Sequence, residues 1–365
     1  MGVKTLMIAG GGTGGHIYPA IAIAREYLSR DPERTVVFVG TARGLEKTIV
    51  PKAGFPLELI DVAGLKGMRG LNLVRNILRL PLGFIQAWKH VGHHRPNVVL
   101  GVGGYSSGPV LVAAKLRGVP TIIHDANAFP GLANRVLARW VTTVAAAFAE
   151  ALPRMKRTDG VVTGNPIRKE FFDLGATVRQ PTTDNRQRLL IFGGSQGSRI
   201  LNDTMTAALP HLAPLQGKLE IVHQTGPNEL AKVQGAYQQS PFANARVVPY
   251  LDPMADEIAA ADLVVSRAGA MTIGELAAIG RAAILIPFAQ ATNNHQELNA
   301  RVVEKAGGAV VITEAELSSE KLAKAISEVL SDPQRAQRMG TSSKTLATPD
   351  ATKSIVDLIE KIQRD

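Results

Sequence analysis

The sequence predicts an α/β protein built from two Rossmann-like domains. Three observations carry this. Short β-branched runs alternate with helical stretches, the pattern of a parallel sheet covered on both faces. The alternation breaks at a polar, turn-rich segment, "DLGATVRQPTTDNRQR" (173–188), and then restarts. Glycine-rich turns follow strands at 10–15, 101–109 and 193–199. The 365 residues suit two domains of about 150–180 residues better than one core.

The elements read in order as follows. "KTLMIAG" is a short buried strand and "AIAIAREYLS" a helix. "TVVFVG", "NVVLGVGG" and "PTIIHD" are further strands, with a helical "GPVLVAAKLRG" between the last two. "TVAAAFAEAL" and "GVVTGNPIR" follow, and Pro166 is a natural break. The second half repeats the form with "LLIFGGSQGSRILNDTMTAAL", "KLEIVHQTG", "ARVVPYL", "ADLVVSRAG", "AAILIPF" and "GAVVIT". In the C-terminal "ATKSIVDLIEKIQRD", Ile355, Leu358, Ile359 and Ile362 share one helical face. The expected division is 1–166 with about 347–365, against 167–346.

Composition narrows the chemistry. There is no cysteine, so disulfides, thiol catalysis and thiolate metal sites are excluded. No secretory leader is expected, because glycines interrupt the first apolar run; Leu6 breaks the myristoylation pattern. No apolar run reaches the roughly 18 residues of a membrane span. The net charge of +10 invites nucleic acid, an anionic membrane or an anionic substrate. Nucleic acid is not expected, because recognition motifs are absent and aromatics make up only 5% of the chain. The charge is uneven: no Asp or Glu occurs between Asp61 and Asp125, an interval with eight Lys or Arg, among them Arg75, Arg79 and Lys89.

Gly10, Gly12 and Gly15 satisfy G-x-G-x-x-G, the dinucleotide fingerprint. A glycine turn between strand and helix lets a phosphate approach backbone N–H groups and the positive end of the helix. A dinucleotide site also needs a carboxylate about 20 residues on, at the tip of the second strand. That tip reads Thr41 and Arg43, so the nicotinamide reading is disfavoured. Within the acid-free interval Leu78, Leu82, Ile85 and Trp88 recur at helical spacing, flanked by Arg75, Arg79 and Lys89. This stripe suits either core packing or docking on anionic lipid.

Whole phrases then point one way. "GGGTGGHIYPA", "GVGGYSSGP", "HDANAFPGLANR", "TGNPIR", "GGSQGSRILN" and "SRAGAMTIGELAAIGRAAILIPF", in this order, closely resemble the MurG family, the bacterial peptidoglycan N-acetylglucosaminyltransferases. The resemblance spans nearly the whole chain. It implies the two-domain GT-B fold, with an interdomain cleft and a C-terminal helix that returns to the N-terminal domain. It implies inverting transfer of N-acetylglucosamine from UDP-N-acetylglucosamine to lipid I, giving lipid II. It also implies a peripheral place on the cytoplasmic side of the plasma membrane, alongside cell-wall synthesis machinery. Another GT-B enzyme using a UDP-sugar is the alternative.

Site residues follow from the matching phrases. For the donor the resemblance implies Thr13, Gly14, Asn127, Arg168, Ser195, Leu251, Ala270, Met271, Thr272, Glu275, His295 and Gln296. Glu275 corresponds to a ribose-binding glutamate, and Tyr250 with the Leu251 backbone to a uracil slot. Gln296 keeps an amide for sugar hydroxyls, whereas His295 replaces one. Asn127 is open to a second reading as a turn former. For the acceptor diphosphate the resemblance implies Gly12, Gly15, Gly103, Gly104, Tyr105 and Ser106. Inversion needs a base, and His16 and Asp125 are both candidates. No D-x-D motif marks a metal site in the donor half; no tightly bound cofactor is expected, and assistance by Mg²⁺ is left open.

Overall fold

The computed structural model describes residues 3–12, 14–62, 70–176 and 186–363, the side chains of 70–79 excepted. The chain forms two compact units, Met1–Ile167 with Asp350–Asp365, and Arg168–Pro349.

The strands of the first unit are β1 (Thr5–Gly10), β2 (Thr35–Gly40), β3 (Leu57–Leu59), β4 (Val98–Gly103), β5 (Thr121–Asp125), β6 (Thr143–Ala146) and β7 (Val161–Val162). Its helices are α1 (Gly14–Ser29), α2 (Glu46–Lys52), α3 (Gly70–His94), α4 (Ser107–Leu116), α5 (Leu132–Leu137) and α6 (Ala151–Arg154). The sheet runs β3-β2-β1-β4-β5-β6-β7, and its pairs are parallel. Leu6 stands between Val36 and Val98 in register. Side chains alternate between two cores, as the period of two requires. Met7, Val37, Val99 and Ile123 pack with Ala87 and Val91 of α3 and Val110 and Leu111 of α4. Leu6, Ile8, Val36 and Leu100 pack on the other face with Ile17, Ile23 and Tyr27 of α1.

The second unit has β8 (Gln187–Phe192), β9 (Leu219–Gln224), β10 (Arg246–Val248), β11 (Leu263–Ser266), β12 (Ala282–Leu285) and β13 (Ala309–Val311). The order is β10-β9-β8-β11-β12-β13, again parallel. Its helices are α7 (Lys169–Ala176), α8 (Arg199–Ala208), α9 (Leu230–Gln238), α10 (Met254–Ala260), α11 (Ala270–Ile279), α12 (His295–Lys305), α13 (Ser319–Leu330) and α14 (Pro333–Lys344). One core face joins Leu189, Ile191 and Ile284 to Leu201, Met205, Leu322 and Ile326.

The last helix, α15 (Ala351–Ile362), belongs to the first unit. Ile355, Val356 and Ile359 are buried in the core beneath α1. Arg30 Nη1 pairs with Asp357 at 2.6 Å and Glu360 at 2.8 Å, and Arg34 Nη1 with Glu360 at 2.7 Å. The Tyr27 hydroxyl donates to Gln363 at 2.9 Å. An apolar stripe thus sets the docking, and two arginines of the α1 region fix its register.

The amphipathic α3 carries two apolar faces. Ala87 and Val91 point into the core, whereas Leu82, Ile85 and Trp88 are exposed, with Ile85 at 50%. Core packing is therefore excluded for these three stripe residues. Lys89 is exposed, and the Arg117 guanidinium lies 4.1 Å over the Trp88 ring. The side chains of Arg75, Leu78 and Arg79 lie outside the described residues. Among the described residues no helix is long and apolar enough to cross a membrane.

Candidate functional site

In an open parallel sheet, ligands bind beyond the carboxyl ends of strands where the strand order reverses. In the first unit that point lies between β1 and β4, in the second between β8 and β11. Each of these four strands runs into a glycine-containing turn and then a helix: α1, α4, α8 and α11. None of the four helices carries an acidic residue in its first turn. No carboxylate of the helix itself therefore competes for its first N–H groups and positive end, which favours holding a phosphate there.

In the first unit the two glycine turns touch backbone to backbone. Gly103 and Gly104 have φ of +98° and +86°. A Cβ on Gly104 would stand 2.5 Å from the Gly11 carbonyl oxygen. A Cβ on Gly103 would stand 2.9 Å from the His16 ring, so the imidazole lies against this turn. His16 is half-buried in the first turn of α1. Ser107 Oγ donates to Ala9 O at 2.7 Å and Gly103 O at 2.9 Å, joining the ends of β1 and β4. Tyr105 is exposed, while the Ser106 hydroxyl is buried without a hydrogen-bond partner among the described residues. Gly12 lies in the turn after β1, and Gly14 and Gly15 open α1; Thr13 lies outside the described residues.

Glu46 is the residue that sequence reasoning missed here. It is buried at 1% exposure, and its Oε2 accepts from Gly12 N at 2.8 Å. Its Oε1 accepts from Thr41 N and Thr41 Oγ1, both at 2.9 Å. A Cβ on Gly11 would stand 2.3 Å from that carboxylate. The tip of β2 does have a carboxylate after all, contrary to the sequence reading. It lies beneath the glycine turn with both oxygens engaged, so it is no ribose clamp for a dinucleotide.

The other candidate base has a different setting. Asp125, at the end of β5, is buried. Oδ1 accepts from Asn127 N at 3.0 Å; Oδ2 accepts from Gly131 N at 3.0 Å and Asn134 Nδ2 at 2.8 Å. These bonds shape the 125–134 turn, which carries Asn127. Both carboxylate oxygens are thus taken up inside the turn that they shape. The adjacent His124 is fully buried against Gly164 O at 3.0 Å, and burial pushes its pKa down.

The second unit repeats the construction. A Cβ on Gly197, at φ +74°, would meet Thr225 O at 1.9 Å, and one on Gly226 would meet Gln196 O at 2.2 Å. Ser195 is exposed at the tip of this turn. Beneath it Arg267, which the sequence reading did not single out, links three strand ends. Its Nε donates to Ser198 Oγ at 3.0 Å after β8, and its Nη1 to Ile286 O at 3.1 Å after β12. Nη1 also pairs with Glu314 at 2.6 Å, and the guanidinium lies over the Phe288 ring. Its position directly after β11, in "SRAG", is the signal that was available.

Ala270, Met271 and Thr272 form the first turn of α11, after the cap residue Gly269. Glu275 stands one turn further on. Gly175 lets α7 close on α11: a Cβ there would stand 2.2 Å from Ala278 O. This packing brings Arg168 Nη2 to 3.9 Å from Glu275 Oε1, while Nη1 holds Glu170 at 2.9 Å. Burial pushes the Glu275 carboxyl up to about 7; Arg168 opposes the shift and Glu170 adds to it. Leu251 is buried and Tyr250 exposed at 58%. His295 Nδ1 lies 2.8 Å from Thr292 O, which can only accept, so Nδ1 donates there. Gln296 Oε1 accepts from Phe288 N at 3.0 Å.

Comparison with known proteins agrees with this two-unit arrangement. Residues 6–146 match the glycosyltransferase family 28 N-terminal domain, and 188–355 match its C-terminal domain. A Myxococcus xanthus protein is 46% identical over 97% of this chain and 91% of its own. A Syntrophotalea carbinolica protein is 44% identical over 98% of each chain. Both are named UDP-N-acetylglucosamine–N-acetylmuramyl-(pentapeptide) pyrophosphoryl-undecaprenol N-acetylglucosamine transferase. The crystal structure of Acinetobacter baumannii MurG superposes with a TM-score of 0.80 at 30% identity, covering 98% of this chain and 99% of that one. The chain belongs to the MurG family of glycosyltransferases, within glycosyltransferase family 28.

Proposed function

We propose that this enzyme transfers N-acetylglucosamine from UDP-N-acetylglucosamine to lipid I with inversion, giving lipid II for peptidoglycan. The observation that carries the reading is the relatives' shared name across nearly the whole of this chain. The paired glycine turns support it, because the reaction has two diphosphates to hold, one on the donor and one on the lipid.

The second unit takes the donor. Backbone N–H groups at Ala270, Met271 and Thr272, with Ser195, face the donor diphosphate, and Arg168 offsets charge on the departing UDP. Ionised Glu275 accepts from the two ribose hydroxyls. Tyr250 and Leu251 flank the uracil, and Gln296 with His295 and Asn127 contacts the sugar. The first unit takes lipid I, with the turns carrying Gly12, Gly15, Gly103 and Gly104 around its diphosphate, and Ser106 Oγ and Tyr105 beside them, while Gly14 faces the donor. His16 is the base rather than Asp125, whose oxygens are already engaged. In the single displacement the acceptor oxygen bonds to the sugar's anomeric carbon as the carbon–phosphate oxygen bond breaks. The hydroxyl proton passes to His16 and UDP leaves with the electron pair. Leu82, Ile85 and Trp88, with Lys89 and the basic interval around them, rest on anionic lipid at the cytoplasmic face.

Labelled UDP-N-acetylglucosamine with a short-chain lipid I analogue tests the reading. The expected product carries one β-linked N-acetylglucosamine, with UDP released in equal amount. An α-linked product, or equal use of UDP-glucose or UDP-galactose, would overturn it.

A further inference from the structure

His90 and His94 stand one helical turn apart near the C-terminal end of α3 and face Glu58 of β3. One ligand atom from each of the three lies within 4.8 Å of the others. His94 Nε2 is 2.8 Å from Glu58 Oε1, and His90 Nδ1 is 3.3 Å from Glu58 Oε2. The other nitrogen of His90 is 3.4 Å from Leu59 O, the carbonyl partner that characteristically orients a metal-bound imidazole. Zinc bonds of about 2.0–2.1 Å place tetrahedral ligand atoms about 3.3 Å apart, so the widest gap closes by about 1.5 Å on binding. The side chains are 23%, 23% and 33% exposed, which leaves one side open to a water ligand.

The position adds to the chemistry. Helix α3 carries no Asp or Glu of its own, so the carboxylate has to come from the sheet. Among the described residues β3 is the outer strand of the sheet, next to β2. Two imidazoles and one carboxylate select a first-row divalent ion, with zinc foremost, over Mg²⁺ or Ca²⁺. We infer that Glu58, His90 and His94 bind a structural Zn²⁺ that ties the end of α3 to the edge of the sheet. The clamp lies about one turn beyond Trp88, on the helix whose outer face carries Leu82 and Ile85.

The untagged chain, stripped with chelator and dialysed, is titrated with ZnCl₂ by calorimetry. One ion per chain is expected, with Kd at or below about 10 μM, and Co²⁺ should give the visible bands of a four- or five-coordinate site. His90→Ala and His94→Ala should each weaken zinc binding at least about tenfold, and Glu58→Gln likewise. His93→Ala should leave it unchanged, since that ring only stacks edge-on against His94. Zinc should raise the unfolding temperature of the parent and not of the His90→Ala/His94→Ala variant. The metal-free unfolding temperatures of the two should agree, which separates lost ligation from lost fold. Undiminished zinc binding in that variant, or none to the parent at about 100 μM zinc, reduces the trio to ion pairs between histidine and carboxylate and overturns the assignment.

Discussion

Replacing Glu275 with glutamine should remove a pH dependence from donor binding and, at the same time, stabilise the protein. Burial holds this carboxyl near 7 in the free enzyme, against an ordinary value of 4.5. In the proposed donor site only the ionised form could accept from both ribose hydroxyls through two oxygens. It amounts to about 90% of molecules at pH 8, half at pH 7 and about 3% at pH 5.5. The Kd for UDP-N-acetylglucosamine should therefore rise about 30-fold from pH 8 to pH 5.5, or about 2 kcal/mol. The donor's two phosphates are both esterified and do not titrate in this range, so the change reports on the protein. At pH 7 binding should release about half a proton per donor, read by calorimetry in buffers of different ionisation enthalpy. Glu275→Gln should bind about tenfold more weakly at pH 8, with a flat profile that meets the parent's near pH 6. The stability effect has the opposite sign. A carboxyl raised from 4.5 to about 7 on folding contributes fully below pH 4.5, and that contribution is lost as pH rises through 7. At pH 8 the free variant should be more stable than the parent by up to about 3 kcal/mol. A parent Kd that stays flat from pH 8 to pH 5.5, or an equally steep profile in the variant, would refute the reasoning.

Three further outcomes are expected. His16→Ala should lower turnover by about 10²–10⁴ while the Kd for UDP changes less than about twofold, measured by single-turnover transfer and calorimetry; near-normal turnover would remove His16 as base. Glu46→Ala removes the partner of Gly12 N and orphans two buried donors, Thr41 N and the Thr41 hydroxyl, and should cost about 2–4 kcal/mol in urea unfolding. It should also raise KM for the lipid substrate more than for the sugar nucleotide; an unchanged midpoint would show that the turn does not need the carboxylate. Changing Leu82, Ile85 and Trp88 together to serine removes about 1 kcal/mol of interfacial burial each and should cut vesicle binding about a hundredfold. The parent's binding should need anionic lipid and fall with salt; equal binding to neutral vesicles would reject the electrostatic part.

Much of this was legible because glycine has few substitutes where backbones meet. Gly104 against Gly11, and Gly197 against Thr225, leave no room for a side chain, so these turns announce themselves in sequence. Strands buried on both faces read as unbroken apolar runs for the same local reason. β3 was passed over because three residues at a sheet edge give no such run. Glu46 and Arg267 escaped because their roles depend on contacts across the fold. A buried carboxylate looks like any helical glutamate until Gly12 is placed over it, and Arg267 is a hub only once three strand ends converge. Asp125 read as a candidate base because sequence displays a carboxylate and not the donors already bonded to it. On α3, periodicity revealed the stripe but not its direction, since the helix has an inward apolar face beside the outward one.

The docking of α15 makes the first unit discontinuous in the chain. Ile355, Val356 and Ile359 complete a core whose other members, such as Leu6 and Ile8, are synthesised long before them. During translation the N-terminal sheet therefore waits, with part of its apolar surface uncovered, until the whole second unit and the last helix have left the ribosome. A ribosome that stops near residue 349 releases a protein with a complete second unit and an unfinished first one. The half proposed to receive the lipid is therefore sealed only after the half proposed to hold the donor has been made.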